Sequence, residues 1–430
     1  MTQRVAQPMT HPRRSRYSAL ALLRHALRPT PWSRAWRAAT PKSNYDVIIV
    51  GGGGHGLATA YYLAANHGIR NIAVLEKSYI GSGNVGRNTT LVRSNYLLDG
   101  NTQFFEHSLK LWESLSHTLN YNVMLSQRGQ VVLAHNPGQL DVLARKGNTM
   151  LLNGIDAELL DRGDVMRALP YLDYSDECRF PIYGGLLQRR AGTVRHDAVA
   201  WGYARAASEL GVDIIENCEV TGFIESEGRI TGVNTSQGRI HAGRTAIAVA
   251  GHSSHLAAMA GLRLPIESHL LQAFVTEAIK PMVDHVISFG AELFYLSQSD
   301  KGGLVFGGHI DGFNSYTSRG QFPKVQDVAE CAVALIPSIS RLRLLRHWGG
   351  IQDMTPDGSP FIGRTVRRDL YFNGGWCYQG FKATPASGWC FAHTIAHEEE
   401  HPLIKHLALD RFERHNGFDE YGLGLWPYRQ

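Results

Sequence analysis

The run Gly51-Gly52-Gly53-Gly54-His55-Gly56 has the spacing G-x-G-x-x-G. Glycines at this spacing let a backbone turn tightly and approach a pyrophosphate, so the chemistry they point to is dinucleotide binding. Gly51 is expected at the turn, Gly53 against the phosphates, and Gly56 where helix and strand pack closely. Glu76 follows twenty residues after Gly56. A carboxylate there accepts both hydroxyls of an adenosine ribose and repels a 2′-phosphate, which disfavours NADP. The elements that must position these residues are legible in the pattern. Asp46–Val50 is predicted to be a buried parallel strand. Leu57–Asn66 is Ala-rich and predicted helical, closing near Gly68, and its N-terminus offers free N–H groups to phosphates. Asn71–Leu75 is a second strand, ending at Glu76.

The next segments favour a flavin dinucleotide over NAD. The polar loop Gly81–Thr90 replaces the βα unit that would continue a compact NAD domain, and it suits an extended cofactor. Lys77, Asn84, Thr89 and Leu91, on and beside this loop, join Gly51, Gly53, Gly54, His55, Gly56 and Glu76 as expected cofactor-binding residues. After a helix ending near Leu210, the chain returns to strand over Gly211–Val220, where the Val220 backbone is expected to meet the adenine. A hairpin-like series follows (Val220–Ile224, Ile230–Thr235, Ile240–Ala242), then the apolar strand Thr245–Gly251. Near the end come Leu370–Gly375, Gly380-Phe381-Lys382, and a helix over Ala383–His393 with Pro385 in its first turn. Gly380 and the helix start are expected beside the flavin, where helix N–H groups stabilise charge on the pyrimidine edge. The flavin domain must therefore be discontinuous, over 45–108, 190–260 and 345–398. A second, mostly antiparallel substrate domain takes 109–189 and 261–344. Strands at Gly129–Leu133 and Leu304–Gly308 mark that domain, and the stripe Phe105, Leu109, Trp112, Leu115, Leu119 reads as core.

Charge and composition bound the partners. The chain has 430 residues and 43 Lys+Arg against 38 Asp+Glu, but the arm 1–44 holds eight Arg, one Lys and no acid. The rest is slightly acidic, which argues against nucleic-acid binding. The arm imitates a transit peptide, yet it carries Trp32 and Trp36, residues that prefer burial. It reads as an arm packing on another subunit. A tail spans 399–430. No apolar stretch approaches the roughly 18 residues of a membrane span. Cys178, Cys218, Cys331, Cys377 and Cys390 are scattered without a CxxC. That spacing favours a reducing, cytoplasmic setting and no metal.

Tyr45–Tyr96, Arg195–Trp201 and Trp348–Gly363 together resemble the β subunit of heterotetrameric sarcosine oxidase, over nearly the whole chain. The resemblance implies a glutathione-reductase-like (Rossmann) FAD domain of α/β type with an antiparallel, α+β substrate domain. It implies noncovalent FAD and a covalent FMN carried by His196, with Arg195 beside it attracting that second flavin. The partners it implies are sarcosine and the α, γ and δ subunits. It implies oxidation of the N-methyl group by hydride transfer to FAD, with electrons passing to FMN and then to oxygen to give hydrogen peroxide. Glycine and formaldehyde, or methylene-tetrahydrofolate, are the other products. Arg93 and Lys382 match the clamp for the substrate carboxylate in related sarcosine oxidases, and His309 matches a site histidine of the monomeric relatives. Read alone, Arg93 is better explained by a surface ion pair and Lys382 by a solvated side chain, and His309 is at least as well explained by a satisfied core or surface histidine. His196 precedes Asp197, a plausible N-cap for the helix Ala198–Leu210, and a histidine beside a cap is usually structural. The monomeric relatives tether FAD through a cysteine where this chain has Gly350, and carry a lysine proposed for oxygen activation where it has Val305. Release of FAD on denaturation and weak direct reaction with oxygen are expected. Cys377 and Cys390 read as small packing residues. Two rival readings are a single-flavin dehydrogenase of another secondary amino acid, such as proline, and a noncatalytic FAD-binding scaffold.

Overall fold

A computed structural model describes residues 19–27, 34–289 and 294–420. Trp32 lies outside the described residues. Two eight-stranded sheets organise the chain. In the first, the strands run Phe361–Arg364, Leu370–Gly374, Gly238–Ile247, Asn44–Val50, Ile72–Leu75, Asp213–Ile215 across the sheet. The four junctions from Leu370–Gly374 to Asp213–Ile215 are parallel. Val47–Val50 and Ile72–Leu75 are buried along their length, as strands covered on both faces must be. Val220–Ser226 and Arg229–Thr235 form an antiparallel flap on Gly238–Ile247. The expected strand over 211–220 is thus two pieces, Asp213–Ile215 in the sheet and the start of the flap. Asn217, with φ +55, lies between them.

The second sheet runs Leu344–Met354, Glu267–Ala278, Gly303–Ile310, Phe294–Gln298, Val286–Phe289, Gln130–Ala134, Gly184–Gln188, Glu158–Asp161. All its neighbours are antiparallel except Val286–Phe289 with Gln130–Ala134. Two assignments from the sequence shift here. Leu344–Met354 was expected in the flavin domain, but it pairs with Glu267–Ala278. The boundary at 108 falls inside one unbroken helix, Asp99–Thr118. Its stripe Phe105, Leu109, Trp112, Leu115 and Leu119 is core as expected, but in the cluster shared with the glycine-motif helix Gly54–His67 and the helix Gly380–His397. Each such large apolar side chain stabilises the fold by roughly 1.5–3 kcal/mol when buried.

Arm and tail are both anchored on the flavin side. Trp36 packs against the first core, while Arg37 and Lys42 pair with the buried Asp213. The short helix Ala19–Leu27 leaves Leu20, Leu22, Leu23 and Leu27 exposed. The tail is held by Arg411, whose Nε and Nη2 each donate to Asp357 at 2.8 Å. Its Nη1 donates to the Pro360 carbonyl and Nη2 also to that of Ser359. Both partners of this ion pair are buried. Removing one side of a buried pair strands the other charge, at a cost of about 3–5 kcal/mol. Arg411→Met should therefore lose about 3–5 kcal/mol of unfolding free energy in chemical denaturation. A loss within the few tenths typical of surface positions would show that the tail anchor does not matter.

Candidate active site

The fingerprint folds as its residue types require. Asn44–Val50 enters a turn at Gly51, whose φ is +109. A Cβ on Gly51 would stand 2.3 Å from the Ala248 carbonyl oxygen, and one on Gly56 2.0 Å from that of Gly51. Glycine is obligatory at both, at Gly51 for conformation and close approach and at Gly56 for close approach alone. Around Gly53, by contrast, no protein atom lies within 4 Å of where a Cβ would be. Its backbone borders open space at the head of Gly54–His67, and that helix has no side-chain cap. Uncapped N–H groups beside an open cradle fit a pyrophosphate.

One cavity of about 1630 Å³ joins this cradle to the second sheet. Gly51, Gly53, Gly54, His55, Glu76, Lys77, Asn84, Thr89, Leu91, Val220 and Gly380 line it, as do Arg93, Lys382 and His309. Gly56 does not line it and serves the packing alone. Some lining groups already hold the wall together. The Glu76 carboxylate accepts from the Gly52 and Ser78 N–H groups at 2.9 and 3.0 Å. Asn84 grips Ile351 of the second sheet through its carbonyl and N–H, so the wrapping loop bridges the two sheets. Lys77 meets the His252 ring at 3.2 Å. His55 stacks on Trp376, centroids 4.7 Å apart, and contacts Ser387 at 2.8 Å. Burial pushes it down to about 3, so this ring stays neutral.

A second uncapped helix faces the same space. It spans Gly380–His397, three residues earlier than expected, which places Pro385 in its second turn. No acid stands in its first turn, so its N-terminal dipole is left for a ligand. Lys382 is buried there and donates to the Tyr378 carbonyl at 2.8 Å. Ser108 and Trp112 donate to the Lys382 carbonyl at 2.7 and 2.9 Å. The core stripe thus fixes this lysine. Desolvation first, and then the Arg93 charge, hold its ammonium well below lysine's ordinary range. Arg93 follows the ribbon strand Leu91–Val92. Its guanidinium bonds the Asn95 side chain and lies 4.7 Å over the Tyr96 ring. Two cations meeting in a desolvated cavity are suited to an anion such as a carboxylate.

His309, with φ +49, places Nε2 3.8 Å from Cys331 Sγ. Gly350 lies in the wall, but Val305 does not line the cavity. Cys377 packs as expected, in a buried cluster with Ile310 and Met354, and also lines the cavity. Burial pushes its thiol up to about 12, which keeps it an unreactive thiol. Lys146 and Asp353 also line the cavity and were missed. For Lys146 a signal existed: it falls on the buried face of the helix Pro137–Leu152, among Leu143, Gly147 and Met150.

His196 and Arg195 stand apart from the lining. The helix there is His196–Glu209, with Arg195 at the N-cap and Asp197 in the first turn. The cap expected at Asp197 is displaced: Asp197 lies inside the first turn, where its carboxylate accepts from Arg195 at 2.9 and 3.2 Å and from the Ala198 N–H at 2.8 Å. The Asp197 N–H donates to His196 Nδ1 at 2.7 Å. Burial, outweighing the Asp197 charge, lowers the His196 pKa, which keeps the ring neutral at neutral pH.

A family model described as FAD dependent oxidoreductase matches residues 46–394. The chain belongs to this FAD-dependent oxidoreductase family. Among its relatives, sarcosine oxidase subunit beta of Rhizobium meliloti (strain 1021) is 62% identical over 96% of this chain and 99% of the relative. The subunit of the same name from Arthrobacter sp is 49% identical over 90% and 96%. The solved L-proline dehydrogenase from P. horikoshii superposes with TM-score 0.81 at 27% identity, over 87% of this chain and 99% of that one. The family fold is thus the Rossmann-type FAD domain with a mixed-sheet partner, and the glycine cradle and lining of the cavity fit an FAD placed there. Gly53→Val tests that placement. The protein has room for the side chain and the cofactor does not, so the purified variant should keep its fold and melting behaviour but lose most of its FAD absorbance. Full FAD content would contradict the placement.

Proposed function

We propose that this chain is the catalytic β subunit of a sarcosine oxidase, acting with α, γ and δ subunits in the cytoplasm. Its nearly full-length likeness to subunits of that name supports the reading. The observation that carries it is the convergence of Arg93 and Lys382 on the cavity at an uncapped helix N-terminus. Sarcosine is N-methylglycine. Its carboxylate would lie between the two cations, which holds the N-methyl group in one place. A cationic, desolvated surround also favours the amine in its neutral, reactive form. The carboxylate in turn raises the proton affinity of Lys382, so the clamp is completed by the substrate itself. His309, on the cavity wall, would bound the substrate's other side. FAD supplies the hydride acceptor when bound, so no protein nucleophile is needed.

We assign His196 to the second flavin, a covalently held FMN. Its ring is neutral and half-buried outside the FAD cavity. Because Nδ1 already accepts from the Asp197 backbone, Nε2 is the nitrogen left for a bond to carbon. Arg195, neutralised by Asp197, flanks it. The five free cysteines fit the cytoplasmic assignment.

Likeness to a proline dehydrogenase supports a second reading, a single-flavin enzyme for a ring-closed secondary amine. Acid precipitation of the assembled protein separates the two. The first reading predicts one flavin in the supernatant and one in the pellet, the latter lost in His196→Ala. All flavin in the supernatant would remove the FMN assignment. For the clamp, Lys382→Met should retain FAD and raise KM for sarcosine about 10–100-fold, the worth of one charge-assisted contact. An unchanged KM would remove Lys382 from the carboxylate site.

A further inference from the structure

The cavity assigned above to FAD and substrate carries on its wall a basic side chain that the reading above does not use. The helix Pro137–Leu152 contributes Gln139, Leu143 and Lys146 to the lining, and its N-cap Asn136 joins them. Lys146 occupies a position on the face that otherwise buries Leu143, Gly147 and Met150. Among the described residues its ammonium has no hydrogen-bond or ion-pair partner. Lys146 is half-buried, and an unpaired ammonium on the wall of a cavity that also holds Arg93 is favoured by a bound anion.

The surrounding charges define which anion. Arg93 lines the same cavity as both lysines, and its charge disfavours the ammonium of each. Glu420 favours the charged lysine from a distance, but it is committed elsewhere. Its oxygens accept from the Leu97 and Leu98 N–H groups and from Asn101. Burial lowers Lys146 to about 8, which leaves it mostly protonated at neutral pH. The other charged members of the helix, Asp141 and Arg145, are exposed. Three basic side chains therefore line one cavity, and a single carboxylate held by Arg93 and Lys382 leaves Lys146 unengaged.

We propose that Lys146, with Arg93, forms a second carboxylate subsite, so that the cavity accepts secondary amino acids bearing an acidic N-substituent, of which N-(carboxymethyl)glycine is the simplest. The first carboxylate takes the Arg93–Lys382 clamp and the second reaches Lys146, so the proposal rests on the clamp assigned above. No bond is made or broken in this binding step.

The test is equilibrium binding to the assembled, oxidised holoprotein, read anaerobically from the flavin spectrum. The probes are N-(carboxymethyl)glycine and, as a single-carboxylate control, methoxyacetate. Wild type should bind the dicarboxylate about tenfold or more tightly than the control. That ratio should fall toward one in Lys146→Met and return in Lys146→Arg. A ratio near one in wild type overturns the proposal without any variant. So does a Lys146→Met protein that weakens both probes equally. If neither probe perturbs the flavin, the clamp reading fails together with this one. If methoxyacetate binds and the ratio is near one, only the second subsite fails.

Discussion

Two helices point uncapped N-termini into one cavity, and the rest of the architecture exists to keep them there. Gly54–His67 and Gly380–His397 have neither a capping side chain nor an acid in their first turns. Their orphan N–H groups must find a partner, and the cavity is where an anionic or electron-rich ligand can supply it. The first sheet places the head of one helix at the end of a buried parallel strand. Residues of Asp99–Thr118 hold the other by its Lys382 carbonyl. Side chains that look like ordinary core thus set the position of a charged group.

The second sheet closes the cavity, and the loop between them does the joining. Asn84 binds Ile351, and Arg87 donates to the Gly349 carbonyl at 3.0 Å. Both contacts tie the wrapping loop to Leu344–Met354. That strand nevertheless belongs to the substrate-domain sheet, because it pairs along its length with Glu267–Ala278. With walls fixed on both sides, Arg93 and Lys382 share one cavity, and an anion bound there would relieve their mutual repulsion. Affinity for a carboxylate and readiness of the site then have the same electrostatic origin.

Much of this was legible before any coordinates. The glycine spacing, the apolar strand before it and Glu76 after it are local signals, and local geometry delivered them. Arg93, Lys382 and His309 were reachable only through resemblance, because nothing local distinguishes a clamp lysine from a solvated one. What stayed hidden was long-range. The displaced cap at Asp197 goes with an Arg195 contact that propensity does not see. The boundary at 108 failed because a single amphipathic helix carries no mark of which domain receives its apolar face. Lys146 broke the apolar pattern of its helix, and such a break is a sign of function when the face turns out to border a cavity.

The central claim is that this cavity holds FAD against a substrate carboxylate clamped by Arg93 and Lys382. An anaerobic titration of the assembled protein with sarcosine tests it most directly. The account predicts stoichiometric loss of the oxidised flavin band in the native protein and, at the same sarcosine concentrations, little loss in Arg93→Met. An oxidised spectrum that persists at saturating sarcosine in the native protein, or bleaching as complete in the variant, would contradict it.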